Sequence, residues 1–392
     1  MSIPLNSYQG DVGVSGKKLR ILIVAPSFDI LGGQSVQAAR LHARLQTEST
    51  LEVGFLPINP RLPGVLRLLQ RLTYVRTAVT SLMYVATLLF EVPRYDIVHV
   101  FSASYFSFLL APTPAILIAK LYGKRVLLNY HSGEAEDHLE RWRRTAVPTI
   151  RMADVVVVPS DYLVRIFAKF GVHAQAVYNL IETDEFRFRK REPLRPVFLS
   201  NRNFEKHYGV DQVLRGFAII QRAVPEARLI VAGGGGERES LEQLAQELNL
   251  NASFVGQVSQ EQMANLYNQA DIFLNCSEID NQPLSILESF ASGLPVVTTA
   301  AGGIVDMVTH EKNGLLVDRG DYKHLAATAI QLLEDGEQAE SIVTEARREC
   351  GNYAWNVLRE QWLSLYEKLA SARSIVARSR ENGIAQTKVA ER

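Results

Sequence analysis

The alternation of apolar strands and helices is the feature that most constrains the fold of this 392-residue chain. Its first apolar run, LRILIVAP at residues 19–26, is continuous. A strand that is apolar on both faces belongs in a parallel sheet with helices on each side. A helical pattern over residues 35–46 follows. Because parallel strands are joined by crossover connections, this order predicts a doubly wound α/β domain.

The same pattern then occurs a second time. Further strands of the first half are predicted at residues 51–56, 96–101, 125–130 and 154–159. A polar stretch at 187–195, which we interpret as a linker, separates them from strands predicted at 197–200, 227–232, 253–255, 272–275 and 295–299. A ligand of two such domains is expected at the carboxyl ends of their strands, in the cleft between them.

Two acidic residues eight positions apart flank the start of a short helix in DNQPLSILESFASGLP, residues 280–295. Asp280 lies on the loop and Glu288 on the helix, so both carboxylates can face one cleft. The helix begins after Pro283, near Leu284 and Ser285, where free backbone N–H groups attract anions. Carboxylates that accept sugar hydroxyls beside such an anion site favour a nucleotide-sugar. The alternative is a helix-capping acid and a surface glutamate.

Two basic residues and a histidine also follow predicted strands. Arg202 and Lys206, in SNRNFEKHYG, precede a helix, and both side chains can bind phosphate oxygens. His131 ends the strand in VLLNYHSGE, at the predicted mouth of the cleft. The alternatives are an exposed loop pair and a packed histidine. His99 ends another strand, and we interpret it as mainly structural.

Three glycine-rich turns follow predicted strands, in PSFDILGGQ, VAGGGGE and TAAGGIV. Glycine lets backbone amides approach a phosphate closely, so Gly32, Gly33, Gly234 and Gly303 are candidate donor-binding residues. Tight turns alone would also explain them. None of the three has the pattern G-x-G-x-x-G, so the sequence does not support a dinucleotide site.

The stretch from Asp280 to Glu288 resembles the Glu-x7-Glu motif of the group 1 glycosyltransferases, glycosyltransferase family four. Asp280 takes the place of the first glutamate, and Glu278 is the alternative acid. The resemblance, which covers about residues 19–366, implies that Asp280 and His131 contact the donor sugar and that Glu288 holds the nucleotide ribose. It also implies that Arg202 and Lys206 neutralise the departing diphosphate.

The resemblance further implies the GT-B fold, in which two Rossmann-like domains face each other across a cleft. We expect a flexible lead-in at 1–18, an acceptor-binding domain at 19–190 and a nucleotide-sugar-binding domain at 195–352. A helix at 353–370 is expected to cross back to the first domain, before a polar tail at 371–392.

Charge is distributed unevenly between the two halves. Residues 1–200 hold 24 Lys and Arg against 16 Asp and Glu, whereas residues 201–392 hold 18 against 26. A basic half favours an acidic partner, which could be the donor phosphate, an acidic acceptor or an anionic membrane. The absence of a basic run with interleaved aromatic residues disfavours nucleic acid.

Residues 53–90 contain no Asp or Glu. Within this stretch, residues 61–90 predict an amphipathic element on an anionic membrane, with a core helix as the alternative.

Enzymes of this family with the Glu-x7-Glu motif are retaining, so the resemblance implies a retaining glycosyltransferase that moves a sugar from a nucleoside-diphosphate sugar to a glycan or lipid-linked acceptor. No metal or cofactor is expected, since the sequence lacks an Asp-x-Asp motif. Its two cysteines favour a reducing compartment, and we expect a cytoplasmic protein, peripheral on the inner face of the membrane. Two alternatives remain: a nucleotide-sugar epimerase on the same fold, and a non-catalytic nucleotide-binding subunit of a glycan-assembly complex.

Overall fold

The structure is a computed structural model that describes residues 18–29, 32–60, 73–102 and 104–371. Its first six strands are β1 (Leu19–Ala25), β2 (Leu51–Pro57), β3 (Ile97–Ser102), β4 (Arg125–Tyr130), β5 (Val155–Val158) and β6 (Gln175–Ala176). They form one parallel sheet in the order β2-β1-β3-β4-β5-β6. Strand β2 lies on one side of β1, and β3 to β6 follow one another on the other side, which is the order of a doubly wound fold.

A second parallel sheet follows. Its strands are β7 (Val197–Asn201), β8 (Arg228–Ala232), β9 (Ala252–Gly256), β10 (Ile272–Asn275), β11 (Val296–Thr299) and β12 (Leu315–Val317). Their order is β12-β11-β10-β7-β8-β9. The predicted fold class, two doubly wound parallel sheets, is therefore confirmed.

Helices connect the strands and cover both sheets. Those of the first half are α1 (Gly33–Gln46), α2 (Thr73–Glu91), α3 (Tyr105–Leu110), α4 (Pro112–Leu121), α5 (Ala135–Arg141), α6 (Arg143–Arg151) and α7 (Asp161–Lys169). Those of the second half are α8 (Val210–Ala223), α9 (Arg238–Glu247), α10 (Gln260–Gln269), α11 (Leu284–Ser292), α12 (Ile304–Met307), α13 (Tyr322–Glu334) and α14 (Gly336–Cys350). A last helix, α15, spans residues 355–371.

Helix α15 returns to the first sheet. Leu358, Trp362 and Tyr366 are spaced four residues apart, so they share one face, and all three lie in the apolar cluster that contains β1 and α1. The hydroxyl of Tyr366 is 2.8 Å from Nδ1 of His99 on β3. Burial lowers the pKa of His99 to about 3, which keeps this imidazole neutral. His99 thus has the structural place that its sequence predicts, and the predicted crossing helix is confirmed.

The polar stretch between the sheets is fastened to the second one. Asp271, fully buried at the start of β10, accepts hydrogen bonds from the backbone N–H of Arg195 at 2.7 Å and from its guanidinium at 2.8 Å. Arg191 donates to the carbonyl oxygens of Ala270 and Ser292 at 2.9 and 2.7 Å. Burial raises the pKa of Asp271, but the arginine bonds outweigh it and the net shift is downward. The predicted linker is therefore an anchored segment.

The sequence and the structure differ in three elements. The predicted strands all appear within two residues of their expected ends, but β6 was not predicted, because two residues are too few to give a pattern. Of β12, the sequence indicates only the start, in the turn and strand of residues 312–315. Helix α15 begins at residue 355, two residues later than predicted, because residues 351–353 form a separate helical turn. Residues 61–72 of the predicted membrane element lie outside the described residues, and residues 73–90 belong to α2.

One helix of the described part of the chain is long and apolar enough to cross a membrane by length and composition. It covers residues 75–94, with a mean hydropathy of 1.4, and 17% of its most apolar window is buried. The core helix of a soluble protein can pass the same test. This helix, however, has most of that window on the surface.

The pairing of His99 with Tyr366 generates a stability prediction. Tyr366→Phe leaves a buried imidazole nitrogen without its partner, so we expect it to lower the free energy of unfolding by about 1–3 kcal/mol. Tyr122→Phe, at a ring that is 40% exposed, is the matched control. It should change the stability by less than about 0.5 kcal/mol. Urea denaturation of both variants checks this, and equal midpoints would contradict it.

Candidate functional site

The loop that connects β10 to α11 brings the first predicted acid together with a predicted cation. Asp280 is 9% exposed, and its Oδ2 forms an ion pair with Nη2 of Arg202. The same guanidinium donates from Nη1 to Oγ of Ser285 at 3.3 Å and stacks over the ring of Tyr208, 4.2 Å from its centroid. Glu278, the alternative acid, is exposed. Of the two acids, Asp280 is the one that the structure places against another predicted site residue.

A close approach between backbones holds this loop in place. A Cβ on Gly302 would lie 2.0 Å from the carbonyl oxygen of Asp280, and one on Gly303 would lie 2.0 Å from that of Asn281. The backbone N–H of Gly303 donates to the carbonyl of Asp280 at 2.9 Å. Gly302 also has a φ of +53°, which favours glycine. Gly303, a predicted donor-binding residue, therefore supports the acid-bearing loop directly.

The second predicted acid is buried in α11. Glu288 is 7% exposed, and its Oε2 accepts a hydrogen bond from the hydroxyl of Tyr267 at 3.0 Å. Its Oε1 lies 3.6 Å from Nη2 of Arg40, which belongs to α1 beside the first sheet. Burial raises the pKa of Glu288, while Arg40 and Tyr267 oppose that rise. The predicted ribose-binding carboxylate is thus placed where the two halves of the chain meet.

The start of α11 lies beside these groups. Pro283 is its N-cap residue, and no side chain caps the helix there. Leu284 and Ser285 form its first turn, and Ser285 contacts Arg202. The site therefore combines a guanidinium with the backbone N–H groups of a helix start, both of which favour negative charge.

His131 approaches the site from the first sheet. Its ring stacks on Phe101 with centroids 5.2 Å apart, and burial lowers its pKa to about 3. Within the described residues its Nε2 is buried and has no hydrogen-bond partner. Two residues further on, a Cβ on Gly133 would lie 3.4 Å from the backbone of Asp280. The loop after β4 therefore meets the acid-bearing loop.

Several hydrogen bonds between the halves were not predicted. Oγ of Ser160 donates to Oδ1 of Asn281, and the backbone N–H of Asn179 donates to the side chain of Gln282 at 2.6 Å. Asp306 accepts from the backbone N–H of Tyr162 at 2.5 Å and from Arg165 at 2.9 Å. Polar residues between two acids of a motif give a weak signal, so the sequence alone could not assign these contacts.

Other predicted residues lie at the edge of this cluster. Lys206 is exposed, and within the described ranges its ammonium has no ion-pair partner. Gly32 is the N-cap of α1, and Gly33 approaches Leu284 of α11, since a Cβ there would lie 3.8 Å from Cδ1. Gly234 packs against the side chain of Gln257. The structure therefore joins Gly33 to the cluster and leaves Lys206 and Gly234 outside its contacts.

The described residues contain no group of three or more His, Cys, Asp or Glu that could hold a metal ion. The charges that converge here are instead the guanidiniums of Arg202 and Arg40 and the start of α11. The arrangement can bind an anion beside a hydroxyl-rich group, with carboxylates available as hydrogen-bond acceptors.

Two family models match this chain. The model described as "Glycosyltransferase Family 4" matches residues 32–185, and the model described as "Glycosyl transferases group 1" matches residues 182–349. The two matches follow one another and together cover both sheets. The chain therefore belongs to the group 1 glycosyltransferases of family 4.

Relatives of known sequence include two that are just under 30% identical to this chain over the aligned residues. Sulfoquinovosyl transferase of Arabidopsis thaliana is 28% identical over 307 residues, which are 72% of this chain and 59% of that protein. A GDP-mannose-dependent alpha-(1-6)-phosphatidylinositol monomannoside mannosyltransferase of Mycobacterium tuberculosis is 29% identical over 286 residues, 67% of this chain and 71% of that protein. The chain thus spans less than two thirds of the plant relative.

Solved structures share the fold. HepE of Anabaena, in complex with UDP and glucose, has a TM-score of 0.70 and 18% identity, over 89% of this chain and 100% of that chain. Sucrose-phosphate synthase of Thermosynechococcus elongatus has a TM-score of 0.70 and 20% identity, over 91% of this chain and 100% of that chain. The fold is GT-B, as the sequence predicts.

The contact between Gly303 and Asn281 generates a second prediction. Gly303→Ala forces a Cβ against a backbone oxygen, so we expect the acid-bearing loop to shift and the free energy of unfolding to fall by about 1–3 kcal/mol. Gly336→Ala, where a Cβ meets open space, is the control and should be neutral or stabilising. Thermal unfolding of the two variants compares them. A Gly303→Ala variant as stable as the control would refute the close approach.

Proposed function

We propose that this protein is a retaining glycosyltransferase that uses a nucleoside-diphosphate sugar and transfers its sugar to a glycan or lipid-linked acceptor. The observation that carries the proposal is the position of Arg202, which contacts both Asp280 and Ser285 at the start of α11. A cation, a helix start and a carboxylate thus meet at one place in the cleft. Such a place suits the diphosphate of a donor with its sugar beside it.

Each residue has a chemical task in this proposal. Arg202, Lys206 and the N–H groups of α11 stabilise the charge that develops on the departing diphosphate. Asp280 and the neutral imidazole of His131 bind hydroxyls of the transferred sugar, and the unpartnered Nε2 of His131 supports that role. Glu288 accepts hydrogen bonds from the ribose. No metal or cofactor takes part in the proposed site.

The reaction breaks the bond between the anomeric carbon and the phosphate oxygen of the donor. The acceptor hydroxyl forms the new bond on the same face of the sugar, and its proton passes to the leaving phosphate. Because negative charge grows on the diphosphate as the bond breaks, Arg202 contributes more to the transition state than to donor binding. Retention is supported by the resemblance of the Asp280 to Glu288 stretch to retaining enzymes of the family.

We also propose that the acceptor side of the protein rests on an anionic membrane from the cytoplasmic side. Most large apolar side chains that are exposed in the described residues lie between positions 75 and 122. Leu82, Phe90 and Leu121 are 72%, 73% and 77% exposed. They belong to α2 and α4, and the Tyr84 hydroxyl of α2 donates to the carbonyl of Ala111, the N-cap residue of α4, at 2.8 Å. Surface apolar groups with arginine and no acid over 53–90 suit a bilayer that carries negative charge.

The donor site is tested by nucleotide binding. A thermal-shift screen with UDP, GDP, ADP and their sugar conjugates should show stabilisation by one nucleotide family, of about 2.7 kcal/mol at a concentration 100 times Kd. Glu288→Ala should abolish that shift, because it removes the ribose acceptor. Asp280→Glu should keep nucleotide binding and alter transfer. Wild-type affinity in Glu288→Ala would refute the site assignment, and an inverted anomeric proton in the product NMR spectrum would refute retention.

The membrane surface is tested by sedimentation with vesicles. At low salt we expect vesicles rich in phosphatidylglycerol, but not neutral vesicles, to pellet the protein. The double variant Leu82→Glu, Phe90→Glu should remain in the supernatant, because binding would place two carboxylates in an apolar and negatively charged bilayer. Val255→Glu, at an exposed apolar residue of the second sheet, is the control and should pellet like wild type. Failure of the wild-type protein to pellet would exclude this surface as a membrane contact.

A further inference from the structure

Arg40 occupies a buried position between the two sheets. It lies on α1, two turns beyond Gly33, and is 5% exposed. Its Nη2 is 2.8 Å from Oε2 of Glu185 and 3.6 Å from Oε1 of Glu288, and its Nη1 donates to the carbonyl of Leu180 at 3.4 Å. One cation therefore faces two carboxylates. Of these, Glu288 is the predicted ribose ligand.

The two oxygens of Glu288 have different surroundings. Oε2 accepts the hydroxyl of Tyr267 at 3.0 Å, which fixes the orientation of the carboxylate. Oε1 faces Arg40 at 3.6 Å, a distance too long for a hydrogen bond. The guanidinium therefore favours the charge on Glu288 without saturating this oxygen. Oε1 keeps the capacity to accept a hydrogen bond from a donor hydroxyl.

Three charged or titratable groups face Glu288 from the elements packed around it. They are Arg40 on α1, Tyr267 on α10 and Glu185 on the helical turn Thr183–Glu185. Burial and Glu185 raise the pKa of Glu288, whereas Arg40 and the bond from Tyr267 lower it. A buried carboxylate that loses its cation binds a proton instead. As a neutral acid it accepts fewer hydrogen bonds from a ribose.

We propose that Arg40 is a positioning residue that keeps Glu288 ionised, so that the carboxylate, which Tyr267 orients, can bind the donor ribose. Nucleotide affinity in the second half of the chain then depends on an arginine of the first half. The inference rests on the proposed function, because it needs Glu288 to bind the ribose. Since the contact exists only when α1 and α11 are close together, it also makes nucleotide binding favour the closed arrangement of the two sheets.

Isothermal titration of Arg40→Met with UDP, GDP and ADP across neutral pH tests this role. We expect the affinity for the bound nucleotide to fall by about tenfold or more at neutral pH and to recover as pH rises. Affinity recovers at higher pH because loss of Arg40 raises the pKa of Glu288, so the ionised carboxylate that binds the ribose forms only at higher pH. Arg40→Lys should restore most of the affinity, and the wild type should show a flatter pH profile.

Arg44→Met is the matched control. Arg44 lies one turn further along α1 and pairs through its Nε with Glu182 at 2.7 Å. The substitution therefore removes an arginine side chain from the same helix without removing a partner of Glu288. Its nucleotide affinity should stay within about twofold of wild type, with an unchanged pH profile.

Glu288→Gln distinguishes a failure of the Arg40 role from a failure of the donor site. If Glu288→Gln loses nucleotide binding while Arg40→Met keeps wild-type affinity and pH profile, the role of Arg40 is wrong and the donor site stands. If Glu288→Gln also binds normally, or if wild type binds none of the three nucleotides, the proposed site and the inference both fail. A double-mutant cycle of Arg40→Met and Glu288→Gln on unfolding free energy gives a second readout. Additive effects would overturn the pairing.

Discussion

The contact between the Gly302-Gly303 backbone and the backbone of Asp280 and Asn281 is the constraint on which the site depends. No side chain larger than hydrogen fits at either glycine, because a Cβ would lie 2.0 Å from a carbonyl oxygen. The contact fixes the loop after β10 against the end of β11. The same loop then reaches the first half of the chain, through Ser160 and Asn179. Close backbone packing thus decides both where Asp280 points and how the two sheets meet.

Buried charge is concentrated at the same junction. Arg202 pairs with Asp280, and Arg40 lies between Glu185 and Glu288, with each arginine mostly shielded from water. Buried ion pairs add little net stability, because the cost of desolvating two charges offsets their attraction. Their presence where two domains face each other is therefore better explained by ligand recognition than by folding. The same low exposure strengthens every interaction with a bound anion.

The two faces of the first sheet have different partners. One face is covered by α1 and by α15, whose aromatic residues and Leu358 complete an apolar core. The other face is covered by α2 and α4, and these helices place large apolar side chains at the surface. Because α15 packs on the first sheet, residues 355–371 contact the first strand and helix of the described chain. The surface of α2 and α4 gains no such cover within the described residues.

The amino-acid sequence by itself determined the fold class and most strands, because continuous apolar runs and helical spacing follow from burial on two faces of a sheet. It also identified Asp280, Glu288, Arg202 and His131 as candidates, since their types and spacing carry chemistry. Only the tertiary structure brought Arg40, Tyr267 and Glu288 together, residues that lie far apart in the chain. It alone showed that Lys206 is exposed and that Arg191 and Arg195 fasten the linker to the second sheet. The physical reason is that local pattern records which residues are buried, whereas pairing between distant residues depends on how the two sheets pack.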